Sequence, residues 1–452
     1  MTKPLPVVLS AAAAAAVACW TATPTRADPP AEPTAAADPA LGSVIFVHPD
    51  GASSATYAAA RALLHGPDGE LHWDRLPHIA VYTGHMADSL TSTSHGGATT
   101  HAHGVKVPAD SYGMAGSGGS AEALVDANGR SLSVAQQAIR VGLPVGLVQS
   151  GTSTEPGTGC FLASVPQRKM HNEIAEQLVN SGAAVLLGGG ERYFIPKGTE
   201  GVHGPSARDD DKDLIALAEQ KGYTVVRTRA ELLALPGDTT KVLGLFAHYH
   251  TFNDKPEEVL EATGKTAYDP DAPTLAEMTQ AALDVLGRHD KRFLLVVEEE
   301  GTDNFGNNNN ASGTLEAARR ADAAFGVCRQ YLQAHPQTLL ITAADSDGGG
   351  LRMVGIPSGS PGDVPDRLPA WDRNGAPIDG VRGTGSAPFL AAPDRAGRQL
   401  PFYIVWSAQD DVSGGILVRA EGLHADLVQG TVDNTDIAKI IRTVLFGTQA
   451  PE

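Results

Sequence analysis

The chain has 452 residues, 42% of them hydrophobic and 19% charged, with a formal net charge of −18. That length suits one large α/β domain or two ordinary ones, and the apolar fraction is enough for a substantial core. So acidic a balance excludes nonspecific nucleic-acid binding and polybasic membrane attachment; it admits small anionic substrates where a local cation overrules the global field.

Met1 to Ala27 reads as a cleaved secretory leader. Lys3 gives a basic start, Val7 to Trp20 is a short alanine-rich apolar run, and Thr25-Arg26-Ala27 is a small-residue cleavage site. A lipoprotein box at Ala16-Val17-Ala18-Cys19 is the alternative, with alanine a poor fit at its first position. The expected location is therefore periplasmic or secreted. No later run is long enough to span a bilayer. Residues 28–42, rich in Pro and Ala, read as a linker. Cys160 and Cys328 remain after cleavage and could pair in an oxidising compartment.

From residue 43 strands and helices alternate. Ser43 to Val47 is a buried-strand pattern that ends at His48-Pro49-Asp50-Gly51, and a helix follows over 53–64. A short strand over 80–84 precedes Ser92-Thr93-Ser94-His95-Gly96-Gly97-Ala98-Thr99-Thr100, which reads as a loop running into a helix through His103, with Ser94 at the N-cap. A helix N-terminus with a free hydroxyl can bind an anion and attack it. Taken alone, the same stretch is an ordinary cap without chemistry. His101 and His103, two apart, point to different helix faces and read as packing or surface histidines. A helix over 132–140 and a strand over 144–148 lead to the Gly151–Gly157 loop, which carries Glu155. Arg168 follows, ahead of a helix over 172–181; it is a solvated charge or, if it lies near Ser94, a bidentate phosphate clamp.

The strand over 184–190 has a glycine exit but neither a P-loop Lys-Ser/Thr nor dinucleotide spacing. Helices over 211–222, 229–235 and 274–288 alternate with strands over 224–227 and 242–247, the latter ending at His248-Tyr249-His250. The strand over 293–297 delivers Glu298-Glu299-Glu300-Gly301-Thr302-Asp303; acids clustered at the end of a core strand are tolerable when a cation sits among them. A long helix covers 315–334, and the strand over 338–342 ends in Asp345-Ser346-Asp347. Residues 352–400, rich in Gly, Pro and Asp, read as a loop-rich surface insertion. Strands over 402–406, before Asp410-Asp411, and over 415–419, a helix over 434–445 capped by Asn434-Thr435-Asp436, and a tail at 447–452 complete the chain. Carboxylates thus stand at four strand ends, where doubly wound sheets place their ligands.

In these ordered pieces, among them Val44 to Gly51, Thr93 to Lys106, Leu186 to Phe194, Leu275 to Thr279, Val297-Glu298, Thr338 to Asp345 and Asp433 to Asp436, the chain resembles the alkaline phosphatase family. The resemblance runs from about 43 to 446 and implies a single catalytic domain: an α/β fold with a large, mostly parallel central sheet flanked by helices on both faces. It implies Ser94 as the nucleophile and Arg168 as the phosphate arginine, although Arg168 lies two residues away from the spacing of the best-known members. Asp50 resembles a carboxylate shared between two metal sites. With Glu155, where the family often has Thr, and Glu298, it implies a magnesium-type site. Asp303 and Asp345 match one carboxylate in each of the two zinc sites. Thr93 stands where the family has Asp beside the phosphate.

Three positions that hold zinc-binding His in the family are, by spacing, Asn307, Ser346 and Asp411; counting from Thr342 instead sets Asp345 at the second of them. His424 aligns with a family His that is not a ligand. Zinc favours His and Cys, whereas oxygen sites suit hard cations. Asp50, Asp303, Asn307, Asp345 and Asp411 form an all-oxygen set, so Mg2+ or Ca2+ is expected in place of Zn2+. The expected activity is hydrolysis of a small phosphate monoester through a phosphoserine. Phosphodiesterase or sulfatase chemistry on the same scaffold, or an inactive phosphate- or metal-binding relative, are the alternatives. The family is often dimeric, and no nucleic-acid motif is present.

Overall fold

The apolar runs pair into one ten-stranded sheet. In chain order its strands are β1 (Ser43–Pro49), β2 (His78–Thr83), β3 (Val145–Thr152), β4 (Val185–Gly189), β5 (Thr224–Val226), β6 (Val242–Leu245), β7 (Leu294–Glu299), β8 (Thr338–Thr342), β9 (Leu417–Gly422) and β10 (Gly430–Asp433). Their spatial order is β10-β2-β9-β8-β1-β7-β3-β4-β6-β5. From β8 to β5 every pairing is parallel, while β9 runs antiparallel to both β8 and β2. This computed structural model describes residues 40–357 and 364–447. The expected leader over 1–27, most of the 28–42 linker and the tail beyond 447 lie outside the described residues.

Every residue of β1, β3, β7 and β8 is buried, which is why these segments read as continuous apolar runs without alternation. Helices cover both faces. One core packs Ser94–His103, Val134–Arg140, His171–Asn180 and Asn434–Phe446. The opposite core packs Ser54–His65, Leu275–Gly287 and Ala311–Ala334. Cys160 belongs to the first core and Cys328 to the second; both are free and buried, so the two thiols do not pair.

Two local expectations are corrected. The cap of the Ser94–His103 helix is Thr93, whose side chain accepts from Gly96 N–H, so Ser94 is the first helical residue. The helix at the end of the chain is capped by Asp433, in a reciprocal box with Asp436. The 352–400 stretch is more than surface loop. Arg352–Gly355, Ile378–Gly380, Gly383–Thr384 and Phe389–Leu390 join Pro401–Val405 in a second, antiparallel five-stranded sheet. Phe389, Phe402, Ile404 and Trp406 enter the second core, and the Trp406 indole donates to Asp379 at 2.7 Å. The strand expected over 402–406 therefore lies outside the main sheet. No helix among the described residues is long and apolar enough to cross a membrane.

Candidate active site

The carboxyl ends of β1, β3, β7 and β8 lie side by side, and their exit loops carry the acids. Asp50 follows β1 and is fully buried, with both carboxylate oxygens unpartnered. The chain turns there through Gly51 at φ +64, where a Cβ would come within 2.6 Å of Asp303 Oδ1. Asp345, beyond β8, reaches the Asp50 carboxylate, and its own two oxygens are also buried and unpartnered. Ser94 is nearly buried and its hydroxyl is close enough to Asp50 to favour the ionised carboxylate. The Ser94 helix can come this near because position 97 is glycine: a Cβ there would lie 2.5 Å from that of Asp345.

Thr93 is occupied otherwise. Its hydroxyl donates to Ala109 C=O while it accepts from Gly96 N–H, so it fixes the helix start that presents Ser94.

Asp303, Asn307, Ser346 and Asp411 form a second group. Asp303 and Asn307 share the Gly301–Asn307 helix at i, i+4. The Asn307 amide donates to both oxygens of Asp303 at 3.0 Å and to Asp411 Oδ1 at 3.1 Å. Its oxygen accepts from Gly349 N–H at 2.8 Å. Asn307 thus turns N–H groups, not its oxygen, toward the carboxylates. The amide here bridges two acids that would otherwise repel. Ser346 Oγ is buried beside Asp411.

The third group lies at the ends of β3 and β7. Arg168 donates to Glu155 Oε2 at 2.7 Å, and Tyr249 O–H donates to Glu155 Oε1 at 3.4 Å. Strand register sets His48, Glu298 and Gln149 in one row across β1, β7 and β3. Gln149 donates to Glu298 Oε2, and Glu298 Oε1 stays unpartnered. A Cβ on Gly157 would overlap the Glu298 carboxylate, so the small residue after Pro156 makes room for it. Of the Glu298-Glu299-Glu300 run, Glu299 is structural: its Oε1 accepts from the Ser150 and Tyr268 hydroxyls and from Gly301 N–H.

Sequence reasoning missed three neighbours. His48 Nδ1 lies 2.8 Å from Ala343 C=O, while Nε2 faces Asp50 Oδ1 at 3.5 Å; ligand atoms of His48, Asp50 and Glu298 all lie within 4.8 Å of one another. A ring nitrogen fixed by a backbone carbonyl leaves the other aimed outward, the arrangement of a metal-binding imidazole. The signal was present in His48 standing two residues before Asp50 on one strand face. Gln149 and Glu300 are the others. His101 and His103 are buried packing residues, bonded to the Tyr82 hydroxyl at 2.7 Å and to Thr99 C=O at 3.0 Å.

The electrostatics follow from crowding. Burial, then neighbouring acids, push Glu300, Asp303 and Asp345 well above the usual carboxylate range. Burial raises Glu298 to about 8, with Asp50 and Glu155 adding to it and His48 opposing. Asp50 is held low in spite of its burial, through Asp345, His48 and Ser94. Glu155 is also low against its burial, chiefly through Arg168. Burial and then Arg168 hold His95, beside Ser94, down to about 4, so its imidazole is neutral. A cation placed among the orphaned oxygens of Asp50, Asp345, Glu298 and Glu300 would remove the repulsion that raises most of them. The residues therefore fit divalent cations.

A hydroxyl at a helix start, a half-buried guanidinium and acids at the carboxyl edge of a doubly wound sheet are thus brought together in one α/β fold. The chain belongs to the alkaline phosphatase family, whose sequence profile matches residues 42–364. The membrane-bound alkaline phosphatase of Bombyx mori is 27% identical over 345 residues, a match spanning 67% of this chain and 59% of that protein. The chain thus matches less than two thirds of that relative's length. Among solved structures, Thermus thermophilus alkaline phosphatase superposes with a TM-score of 0.70 at 24% identity, covering 90% of this chain and 92% of that one. A TAB5 alkaline phosphatase variant with Mg bound in its M3 site gives 0.64 at 18% identity, covering 90% and 99%. Both share the fold.

Proposed function

We propose that the chain hydrolyses small phosphate monoesters through a phosphoserine at Ser94, with divalent cations held by Asp50, Glu155, Glu298, Asp303, Asp345 and Asp411. The observation that carries this reading is the Ser94 hydroxyl, set at a helix start against a buried Asp50 whose oxygens lack partners. The cations, when bound, would supply Lewis-acid stabilisation of the Ser94 alkoxide and of the leaving alkoxide.

The rest follows from the chain's own groups. The Ser94 helix N-terminus favours a phosphate dianion in front of it. Arg168, anchored to Glu155, holds nonbridging oxygens with its planar fork. Ser94 Oγ, its proton given up to solvent, then forms a bond to phosphorus while the ester P–O bond breaks, and the alcohol leaves with a proton taken from solvent. Water cleaves the phosphoserine, giving inorganic phosphate and restoring the Ser94 hydroxyl. Neutral His95 adds no positive charge that would compete with Arg168.

Hard cations are favoured over Zn2+ because Ser346 and Asp411 offer oxygen where the family uses His. Asn307 acts here as a positioning residue between Asp303 and Asp411. The Mg bound in the TAB5 variant supports a divalent cation within this fold. Export to the periplasm or medium, read from residues 1–27, and the homodimeric assembly common in the family belong to the same reading. Acid quenching during turnover should leave one phosphoryl group on the Ser94 peptide, detected by mass spectrometry. A phosphoryl group on another residue, or its persistence in Ser94→Ala, would contradict the assignment.

A further inference from the structure

Glu300 is fully buried and neither of its carboxylate oxygens has a partner. It stands at the N-cap of the Gly301–Asn307 helix, yet its side chain makes no capping bond and turns away from that helix. Its backbone N–H is tied to Ser150 Oγ at 2.9 Å, and its side chain passes over Gly151, where a Cβ would lie 3.0 Å from Glu300 Cγ. Its carboxylate comes within hydrogen-bonding range of that of Glu298, and Glu155, Glu298 and Asp50 are the acids acting on it. Arg168 is the cation in this company, and it is committed to Glu155.

An ionised carboxylate buried without a partner costs several kcal/mol, so a group in this position calls for a proton or a cation. Two carboxyl groups within hydrogen-bonding range of one another can share a proton or a cation, and the unpartnered oxygens of Asp50, Glu298 and Glu300 leave ligand atoms open to the cation.

We propose that Glu300 is a fourth carboxylate arm of the Asp50–Glu155–Glu298 centre, and that its presence makes this centre prefer Ca2+ to Mg2+. The proposal rests on the reading that the centre binds a divalent ion. Ca2+ accepts about six to eight oxygens in irregular geometry, whereas Mg2+ demands a near-octahedral six and keeps several waters. Glu300 would add its oxygens to those of Asp50, Glu155 and Glu298 at a centre where ligand atoms of His48, Asp50 and Glu298 lie within 4.8 Å of one another, and so raise the donor number toward what Ca2+ takes.

The test is calorimetric titration of the chelator-stripped chain with Ca2+ and, separately, Mg2+, with Tb3+ luminescence as a second readout. The unaltered chain should bind Ca2+ more tightly than Mg2+. Glu300→Gln, which keeps the side chain's shape, should weaken Ca2+ by about tenfold or more and Mg2+ by much less, abolishing the preference. Unchanged Ca2+ affinity in Glu300→Gln, with binding lost in Glu298→Gln, would overturn the role of Glu300 while leaving the cation centre standing. Absence of binding by any of the three chains would overturn the centre itself. Should Glu300→Gln not fold, the unaltered chain still decides: preference for Mg2+, or a protonated-carboxyl infrared band that Ca2+ leaves in place, would contradict the proposal.

Discussion

At the scale of single residues, Asn307 shows how one side chain changes a charged group. Its amide lies between Asp303 and Asp411 and satisfies both, while Gly349 N–H fixes its orientation. Asn307→Ala should therefore destabilise the metal-free protein by about 1–3 kcal/mol, because buried Asp303 and half-buried Asp411 lose their donor. Denaturant melts in chelator measure it, and a change below about 0.5 kcal/mol, the range of inert surface substitutions, would contradict the bridging role. Arg168 and Glu155 are paired in the same sense. Arg168→Ala should lower kcat/KM for a monoester by several hundredfold or more, on the order of losing a charged transition-state donor. A loss under about threefold would place the guanidinium away from the phosphate.

At the scale of elements, the decisive contact is the approach of the Ser94–His103 helix to the end of β8. Gly97→Ala would set a Cβ 2.5 Å from that of Asp345, so the helix start or the Asp345 loop must shift, and either moves Ser94 relative to Asp345. Activity should fall at least tenfold while Tm changes little, since a displaced nucleophile loses rate before the fold is lost. Activity equal to that of the unaltered chain would show that Ser94 does not need this approach. A second element carries a pH signature away from the site. Glu257 opens the Glu257–Thr263 helix and accepts from Ser312 N–H at 2.9 Å. Burial, and then Asp379, raise its carboxyl to about 8. The folded state therefore holds the proton that the unfolded chain releases at lower pH. The resulting stability is complete below the unfolded value and is lost as pH rises through about 8. Glu257→Gln should raise Tm at pH 9 relative to the unaltered chain and leave it nearly unchanged at pH 4; equal shifts at both would contradict the burial argument.

The elements also show what the sequence could disclose. The apolar parts of the strands ending at Pro49, Thr152, Glu299 and Thr342 were readable as uninterrupted runs, whereas the polar ends of two of them, Gln149 to Thr152 and Glu298-Glu299, read as exit loops. Ser94's helix was readable too, yet its cap was off by one, because Thr93 and Ser94 are chemically alike at that position. The second sheet stayed hidden: its pieces are two to five residues long and lie among Gly and Pro, too short for periodicity to register. Within the Glu298-Glu299-Glu300 run, spacing alone could not tell that Glu299 is fastened by Ser150 and Tyr268 while Glu300 is orphaned. Neither the facing of Asn307 nor the placement of Cys160 and Cys328 on opposite faces of the sheet is a property of composition or spacing.

At the scale of the whole molecule, a chain of net charge −18 gathers many of its buried acids at one edge of the sheet, with Arg168 committed to Glu155 among them. On the proposed function, cations entering such a site would relieve its repulsion and would let so acidic a protein receive a phosphate dianion. Metal, substrate and nucleophile are thereby bound into one prediction. The measurement that tests it most directly is hydrolysis of a chromogenic phosphate monoester by chelator-stripped protein resupplied in turn with Ca2+, Mg2+, Mn2+ and Zn2+, with Ser94→Ala in parallel. Turnover restored by Ca2+ or Mg2+ and absent in Ser94→Ala is the predicted result; restoration by Zn2+ alone, or no turnover with any of the four, would contradict the account.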